Sequence, residues 1–307
     1  MKRPVRVLVL GGGPDAEREV SIKSATGIAD ALRRTGRYDV RLKIITRISP
    51  GALRATPADV IFPYLHGPWG EGGPLQDILE ADGRPFVGSG AAAARLAMDK
   101  MATKGVALAI GIPTPPACIL NTADRRCPLP LPVVVKPVHE GSTIGLRICE
   151  STREFAACCR AIEAERSRGV SRSYMVEPRI AGAELTVGVI GDSALPVIRI
   201  VPRQGLYDYK AKYIRNDTRY IVNPPLPGRV LRRVQRDAVR LAAALGCRHI
   251  SRTDYMLARD GTPWLLEINT TPGFTDHSLV PKAARAAGIE TPDLCDRLVR
   301  TALRDRP

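Results

Sequence analysis

Short apolar blocks alternate along the chain with segments of helical spacing. Residues 5–10 (Val-Arg-Val-Leu-Val-Leu) read as a buried strand, stopped by Gly11-Gly12-Gly13-Pro14. Over residues 21–34 the apolar positions Ile22, Ala25, Ile28, Ala29 and Leu32 recur at the period of an α-helix. Further strands are predicted at 40–45 and 60–62, with a helix near 74–81. Strand–helix alternation of this kind favours a parallel sheet with helices on its faces. A boundary is expected between Gly90 and Lys100, where Ala91 to Ala94 open a helix. Helical spacing then runs over 98–110 and is stopped by Gly111-Ile112-Pro113.

Beyond that point the pattern predicts strands at 133–137 and 174–178, with a helix at 152–165 between them. Strands at 185–190 and 195–200 lead into a polar loop, 204–217. A helix at 229–245, strands at 253–257 and 264–268, and helices to the end complete the reading. No internal repeat stands out. The architecture expected is three α/β units in series: 1–94, 95–183 and 184–307.

Composition changes this picture little. A chain of 307 residues with 44% hydrophobic content exceeds the usual size of one domain. Its charge is unusual, 46 basic residues against 31 acidic. Much of the surplus is arginine in stretches that read as surface helix, such as Leu231-Arg232-Arg233-Val234-Gln235-Arg236. Aromatic content is only 5%, too little for a platform on which bases stack, so a solvated basic surface is expected rather than nucleic-acid binding. Seven cysteines without a CxxC pair point to reduced thiols, not a disulfide framework or zinc site. The apolar block after the N-terminus is too short for a secretory core. No run approaches the roughly 18 residues of a membrane span, so a soluble cytoplasmic protein is expected, with no membrane partner.

Several segments carry candidate chemistry. Gly11-Gly12-Gly13 lacks the third glycine of a dinucleotide fingerprint, because position 16 is Ala, and reads as a tight strand end. The segment from Asp15 to Ser21 is denser in charge than a turn requires, and a carboxylate there could pair with a ligand ammonium. Lys136 stands at a strand end before His139-Glu140-Gly141-Ser142-Thr143-Ile144-Gly145. That loop could wrap phosphates with backbone N–H groups, or could be a plain hairpin beside a solvated lysine. Asp254, Glu267 and Asn269 lie on two strands of one short hairpin. Period-two spacing sets Glu267 and Asn269 on one side, and such hard oxygens suit Mg²⁺. The run Tyr207-Asp208-Tyr209-Lys210-Ala211-Lys212-Tyr213 falls in a loop long enough to act as a lid. Ser278 opens the helix expected near Val280, either as its cap or as part of a carboxylate site.

Taken in order, Glu17-Arg18-Glu19-Val20-Ser21, His66-Gly67 with Gly70-Glu71, Met98-Asp99-Lys100, Glu140-Gly141-Ser142, the 207–213 run, Arg252 with Asp254, and 267–279 resemble the D-alanine–D-alanine ligases. The resemblance spans essentially the whole chain. It implies an ATP-grasp fold with an N-terminal parallel-sheet domain, and ATP held between the central and C-terminal units. Under it, Lys100 and Lys136 bind the ATP phosphates and Lys212 reaches the transferred one. Glu177 and Ile180 border the adenine and Glu184 holds the ribose. Asp254, Glu267 and Asn269 carry two Mg²⁺ ions, with Mn²⁺ as a substitute. Glu17 holds the ammonium of the first D-alanine, linked through Ser142 to Tyr213, and His66 lies beside it. Arg252 and the Gly273 amide stabilise the intermediate's negative oxygen, while Ser278 and the Leu279 amide bind the second carboxylate. The implied reaction forms D-alanyl-D-alanine through an acyl phosphate, for peptidoglycan precursors, in a homodimer. A related ligase using another D-amino acid or D-lactate is the alternative; Tyr213, usually replaced in the D-lactate enzymes, favours an amine. The chain departs from the family pattern at Gly72, Asp77, Pro178-Arg179 and Thr253, none of them a catalytic group.

Overall fold

A computed structural model describes residues 3–124, 126–203, 218–275 and 278–305. The run of valines and leucines at the start becomes β1 (Val5–Gly12). It pairs in parallel with β2 (Tyr38–Ile45) and β3 (Val60–Pro63) in the order β2-β1-β3. The strand end needs glycine: Gly12 has φ +103° and a Cβ there would lie 2.2 Å from the Ile45 carbonyl oxygen. Helix α1 (Arg18–Arg34) crosses from β1 to β2 and buries the Ile28–Leu32 face that the spacing predicts. Three short helices follow, α2 (Pro50–Arg54), α3 (Gly67–Glu71) and α4 (Pro74–Asp82). The first two are too short for a periodic signal, and the sequence did not foretell them.

The helix opened by Ala91 to Ala94 is α5 (Ala91–Met98) and the helical run expected over 98–110 is α6 (Lys100–Ala109), the two separated at Asp99. The Asp99 carboxylate accepts hydrogen bonds from the amides of Met101 and Ala102, so it ends one helix and caps the next. A second sheet follows, wholly antiparallel, in the order β4-β7-β5-β6. Its members are β4 (Cys118–Ile119), β5 (Val133–Pro137), β6 (Arg147–Cys149) and β7 (Tyr174–Pro178). Helix α7 (Thr152–Ser167) covers one face, packing Phe155 and Ile162 on Val133, Val135 and Val176. The alternate residues Val134, Lys136 and Glu177 are thereby left on the other face.

The third sheet runs β11-β10-β8-β12-β13, with β9 (Ser193–Ala194) paired to β8. Its strands are β8 (Gly182–Ile190), β10 (Ile198–Val201), β11 (Arg219–Val222), β12 (Ile250–Ala258) and β13 (Pro263–Asn269). The strand expected at 195–200 starts later, because the Leu195 amide turns to the Gly188 carbonyl in a tight return from β8. Helix α8 (Gly228–Ala244) packs Val234, Ala238 and Leu241 against Leu185, Val187 and Tyr255 on the back of this sheet. Its outer face exposes Arg229, Arg232, Arg236 and Arg240, the solvated basic surface expected. Helices α9 (Leu279–Ala286) and α10 (Thr291–Arg304) return to the first sheet, where Leu294 and Leu298 share a core with Ile28, Leu32 and Val60. All seven cysteines are free thiols. Among the described residues no helix is long and apolar enough to cross a membrane. The predicted lid, 204–217, lies outside the described residues.

Candidate active site

The exposed face of the second sheet and the front of the third enclose a cleft of about 460 Å³. This volume is in the range of small-molecule sites. Lys100, Lys136, Glu177, Ile180 and Glu184 line it, and so do Asp254 and Glu267. The lysine at the end of β5 and the acids of β12 and β13 therefore meet across one space.

Strand register explains the acidic end. Asp254 is paired with Glu267 and Arg252 with Asn269, so all four side chains leave the same face of the β12–β13 hairpin. A β-bulge just after Asp254 shifts the register there. The acids would repel one another if nothing answered them. Arg252 donates from Nε and Nη2 to the two Asp254 oxygens at 3.0 and 2.8 Å, and Thr186 donates to Asp254 Oδ1 at 2.6 Å. Lys100 Nζ stands 3.3 Å from Glu267 Oε2 and donates to the Glu140 carbonyl at 2.5 Å. Two carboxylates and an amide on one face supply the hard oxygens a divalent cation takes. Among the described residues no group of three or more His, Cys, Asp or Glu forms a cage. Such an incomplete set suits a cation that keeps water and phosphate oxygens as its other ligands.

At the other end, Glu177 is 3% exposed, and Lys136 Nζ and Lys104 Nζ approach its two oxygens at 2.5 and 2.7 Å. Burial works to raise its pKa, but the two ammonium groups outweigh that and hold it below the usual carboxylate range. Lys104 was not singled out in the sequence. Its sole signal there is a lysine in the first turns of a helix, where most lysines are solvated.

The loop from Val138 to Leu146 is a hairpin between β5 and β6 and also a wall of the cleft, but Lys136 is buried and paired with Glu177, so it is not the solvated lysine of a plain hairpin. Ser142 and Thr143 take φ of +50° and +64°, the left-handed region, in non-glycine residues. Strain of that kind marks a segment held for its contacts. The Ser142 hydroxyl donates a short hydrogen bond to Glu17 Oε1. That contact leads into a second, smaller pocket of about 70 Å³, which shares Gly141 with the first. Glu17, His66, Ser142, Arg252, Gly273 and Ser278 line it together with Asn269 and Leu279.

The charge-dense segment at 15–21 divides between structure and site. Asp15 accepts from the Trp69 amide at 3.0 Å, Arg18 donates to the Gly13 and Ile45 carbonyls at 2.8 Å, and Ser21 donates to the Tyr64 carbonyl at 2.6 Å. Glu17 is the member that reaches the pocket. His66 is buried and, among the described residues, its Nε2 has no hydrogen-bond partner. Burial lowers its pKa, so the ring is neutral near pH 7. Behind it Glu71 Oε1 lies 4.0 Å from His66 Nδ1, and burial, reinforced by the charge of Glu17, pushes the Glu71 carboxyl up to about 8. Tyr64 packs edge-on to both His66 and Phe274 and donates to the Pro272 carbonyl, fixing the turn that presents Gly273.

Ser278 stands at the start of α9, yet its hydroxyl makes no capping bond to that helix. It accepts from the Thr275 amide at 2.9 Å instead and faces the pocket. The capping reading is corrected on this point.

The comparisons with known proteins agree with this geometry. A family model described as D-ala D-ala ligase C-terminus matches residues 120–300. A D-alanine–D-alanine ligase of Anaeromyxobacter sp. (strain Fw109-5) is 40% identical over 300 residues, covering 96% of each chain. That of Syntrophotalea carbinolica is 42% identical over 299 residues, covering 97% of this chain and 96% of its own. The chain belongs to the D-alanine–D-alanine ligase family. Among solved structures, the Bacillus anthracis D-alanine–D-alanine ligase complexed with ATP superposes with TM-score 0.82 and 30% identity, covering 99% of both chains. The VanG D-Ala:D-Ser ligase of Enterococcus faecalis also gives 0.82, at 25% identity, covering 98% of this chain and all of its own. The ATP-grasp fold expected of the family is thus present, its N-terminal sheet parallel and the other two antiparallel. Of the ligase residues anticipated, Lys212 and Tyr213 lie outside the described residues. The others fall into the two adjoining pockets.

Proposed function

We propose that this chain is an ATP-dependent ligase that joins two D-alanines into D-alanyl-D-alanine, a peptidoglycan precursor. One observation carries the reading: a nucleotide-sized cleft with an acidic end shares Gly141 with a small polar pocket lined by Glu17, Ser142, Arg252 and Gly273.

In this reading the residues take the following parts. Lys100 and Lys136 grip the ATP phosphates, joined by Lys212 on the transferred group. Glu177 and Ile180 border the adenine and Glu184 holds the ribose. Asp254, Glu267 and Asn269 would hold two Mg²⁺, which supply positive charge for the triphosphate oxygens when bound. Glu17 takes the ammonium of the first D-alanine, kept in place by Ser142 and Tyr213, with the neutral His66 beside it.

A carboxylate is a poor electrophile. Its oxygen attacks the γ-phosphorus, ADP leaves, and the acyl phosphate forms. The free amine of the second D-alanine then attacks the acyl carbon, having given up a proton. The tetrahedral centre collapses, the C–O bond to phosphate breaks, and the amide remains. Arg252 and the Gly273 amide meet the oxygen that becomes negative, and Ser278 with the Leu279 amide holds the second carboxylate. The protein's share is positioning and charge stabilisation rather than covalent work.

The domain limits 1–94, 95–183 and 184–307, a homodimer and a cytoplasmic location belong to the same proposal. Sedimentation of the intact chain tests the dimer. The function is tested by phosphate release with ATP and Mg²⁺ against a panel of D-alanine, D-serine and D-lactate. D-Alanine alone should sustain turnover. Turnover that requires D-serine or D-lactate as acceptor would move the assignment to a related ligase.

A further inference from the structure

Lys104 lies outside the cleft wall, on α6 behind Glu177, and is 4% exposed. Its ammonium makes two hydrogen bonds and one ion pair. Glu177 Oε2 is 2.7 Å away, and Thr114 Oγ1 and the Pro115 carbonyl accept at 2.8 Å. Thr114 is in turn fixed, its hydroxyl donating to the Leu265 carbonyl of β13 at 2.9 Å. Lys104 is therefore held in place by protein oxygens, away from the cleft. Lys136 differs. It lines the cleft, and its ammonium sits on the other Glu177 oxygen at 2.5 Å.

Moving onto phosphate would turn the Lys136 ammonium away from Glu177. Were Lys136 the sole counter-charge, that turn would strand an ionised carboxylate in a buried place, which is strongly unfavourable. With Lys104 on the second oxygen, Glu177 stays neutralised whichever way Lys136 points. We propose that Lys104 is a positioning residue for ATP that never touches it: a fixed counter-charge that frees Lys136 to exchange Glu177 for phosphate. Burial pulls the Lys104 pKa down to about 8, still above neutral, so the counter-charge is present near pH 7. The inference rests on the reading that this cleft takes ATP and adds to it a residue the reaction needs.

Calorimetric titration with Mg-ATP, without D-alanine, tests it on the full chain. Lys104→Met should weaken ATP binding about tenfold or more, by retaining Lys136 on Glu177. The KM for D-alanine should not change. In a Glu177→Gln background, where no buried carboxylate holds Lys136, adding Lys104→Met should cost less than about threefold. A residue that merely braces α6 against β13 would cost as much in either background, and that result overturns the proposal. So would unchanged ATP binding in Lys104→Met. A Lys104→Met protein that fails to fold overturns it as well, because Lys136 still neutralises Glu177 in the nucleotide-free state. Absence of Mg-ATP binding in the unaltered protein is a different failure, that of the ligase reading.

Discussion

At Glu71, burial first and the Glu17 charge second raise the carboxyl pKa from an ordinary 4.5 to about 8. The folded chain then binds a proton that the unfolded chain has released over that window, so stability contributed by Glu71 falls as pH rises from about 4.5 through 8. His66 works in the opposite sense, but only below its ordinary value of 6.5, where the unfolded chain takes a proton that the folded one refuses. Between about pH 6.5 and 8 the Glu71 slope stands alone of the two. Glu71→Gln, which copies the neutral form, should unfold in urea with a flatter pH dependence over that window than the unaltered chain. An equal slope in both would place the proton elsewhere. Glu267 carries a second prediction at this scale. Glu267→Gln should leave the fold intact and lower turnover about a hundredfold or more, the several kcal/mol a bound cation gives a phosphoryl transfer. Near-normal rates would place the cation on other ligands. Glu267 and Asn269 were legible because strand period two aligns them. Glu71 stands in a family motif that gives it no role, and Lys104 in none, since what distinguishes each is the company it keeps after folding, from segments distant in sequence.

Among the elements, long periodic segments such as α1, α7 and α8 were readable from spacing alone. The breaks and short strands were less so. Nothing in the apolar pattern separates α5 from α6, because the division is made by one side chain, Asp99, through its bonds to the Met101 and Ala102 amides. The same cap fixes the first residue of α6, Lys100, whose ammonium reaches the Glu140 carbonyl and Glu267. Asp99→Ala should therefore cost about 1 kcal/mol in urea unfolding and raise the KM for ATP more than that for D-alanine. Equal effects on both KM values would detach the cap from the nucleotide end of the site. β6 and β11, three and four residues long, escape a sequence reading because their strand character comes from the partner.

For the whole molecule, the ends of the chain close on each other. Leu294, Leu298 and Val299 of α10 are buried with Ile28, Leu32 and Val60 of the first sheet and its helix, and the Tyr38 hydroxyl donates to Asp296 at 2.8 Å. The order of strands and helices was legible along the chain, but this return of the last helix to the first sheet depends on contacts some 260 residues apart. Leu298→Ala should lower stability by about 2 to 5 kcal/mol, as deletion of a fully buried leucine does. A loss under 1 kcal/mol, on the order of a surface substitution, would mean α10 adds little to that core. The closure also holds Phe274, and with it the Gly273 turn of the smaller pocket, in the same core as the first sheet, in one packed body. What that body is for is tested most directly by the fate of one oxygen. With D-alanine labelled with ¹⁸O in its carboxylate, supplied as sole amino acid with ATP and Mg²⁺, phosphate, ADP and D-alanyl-D-alanine should appear in equal amounts, with label in the phosphate. Unlabelled phosphate, or AMP and pyrophosphate in place of ADP and phosphate, would contradict an acyl phosphate formed at this site.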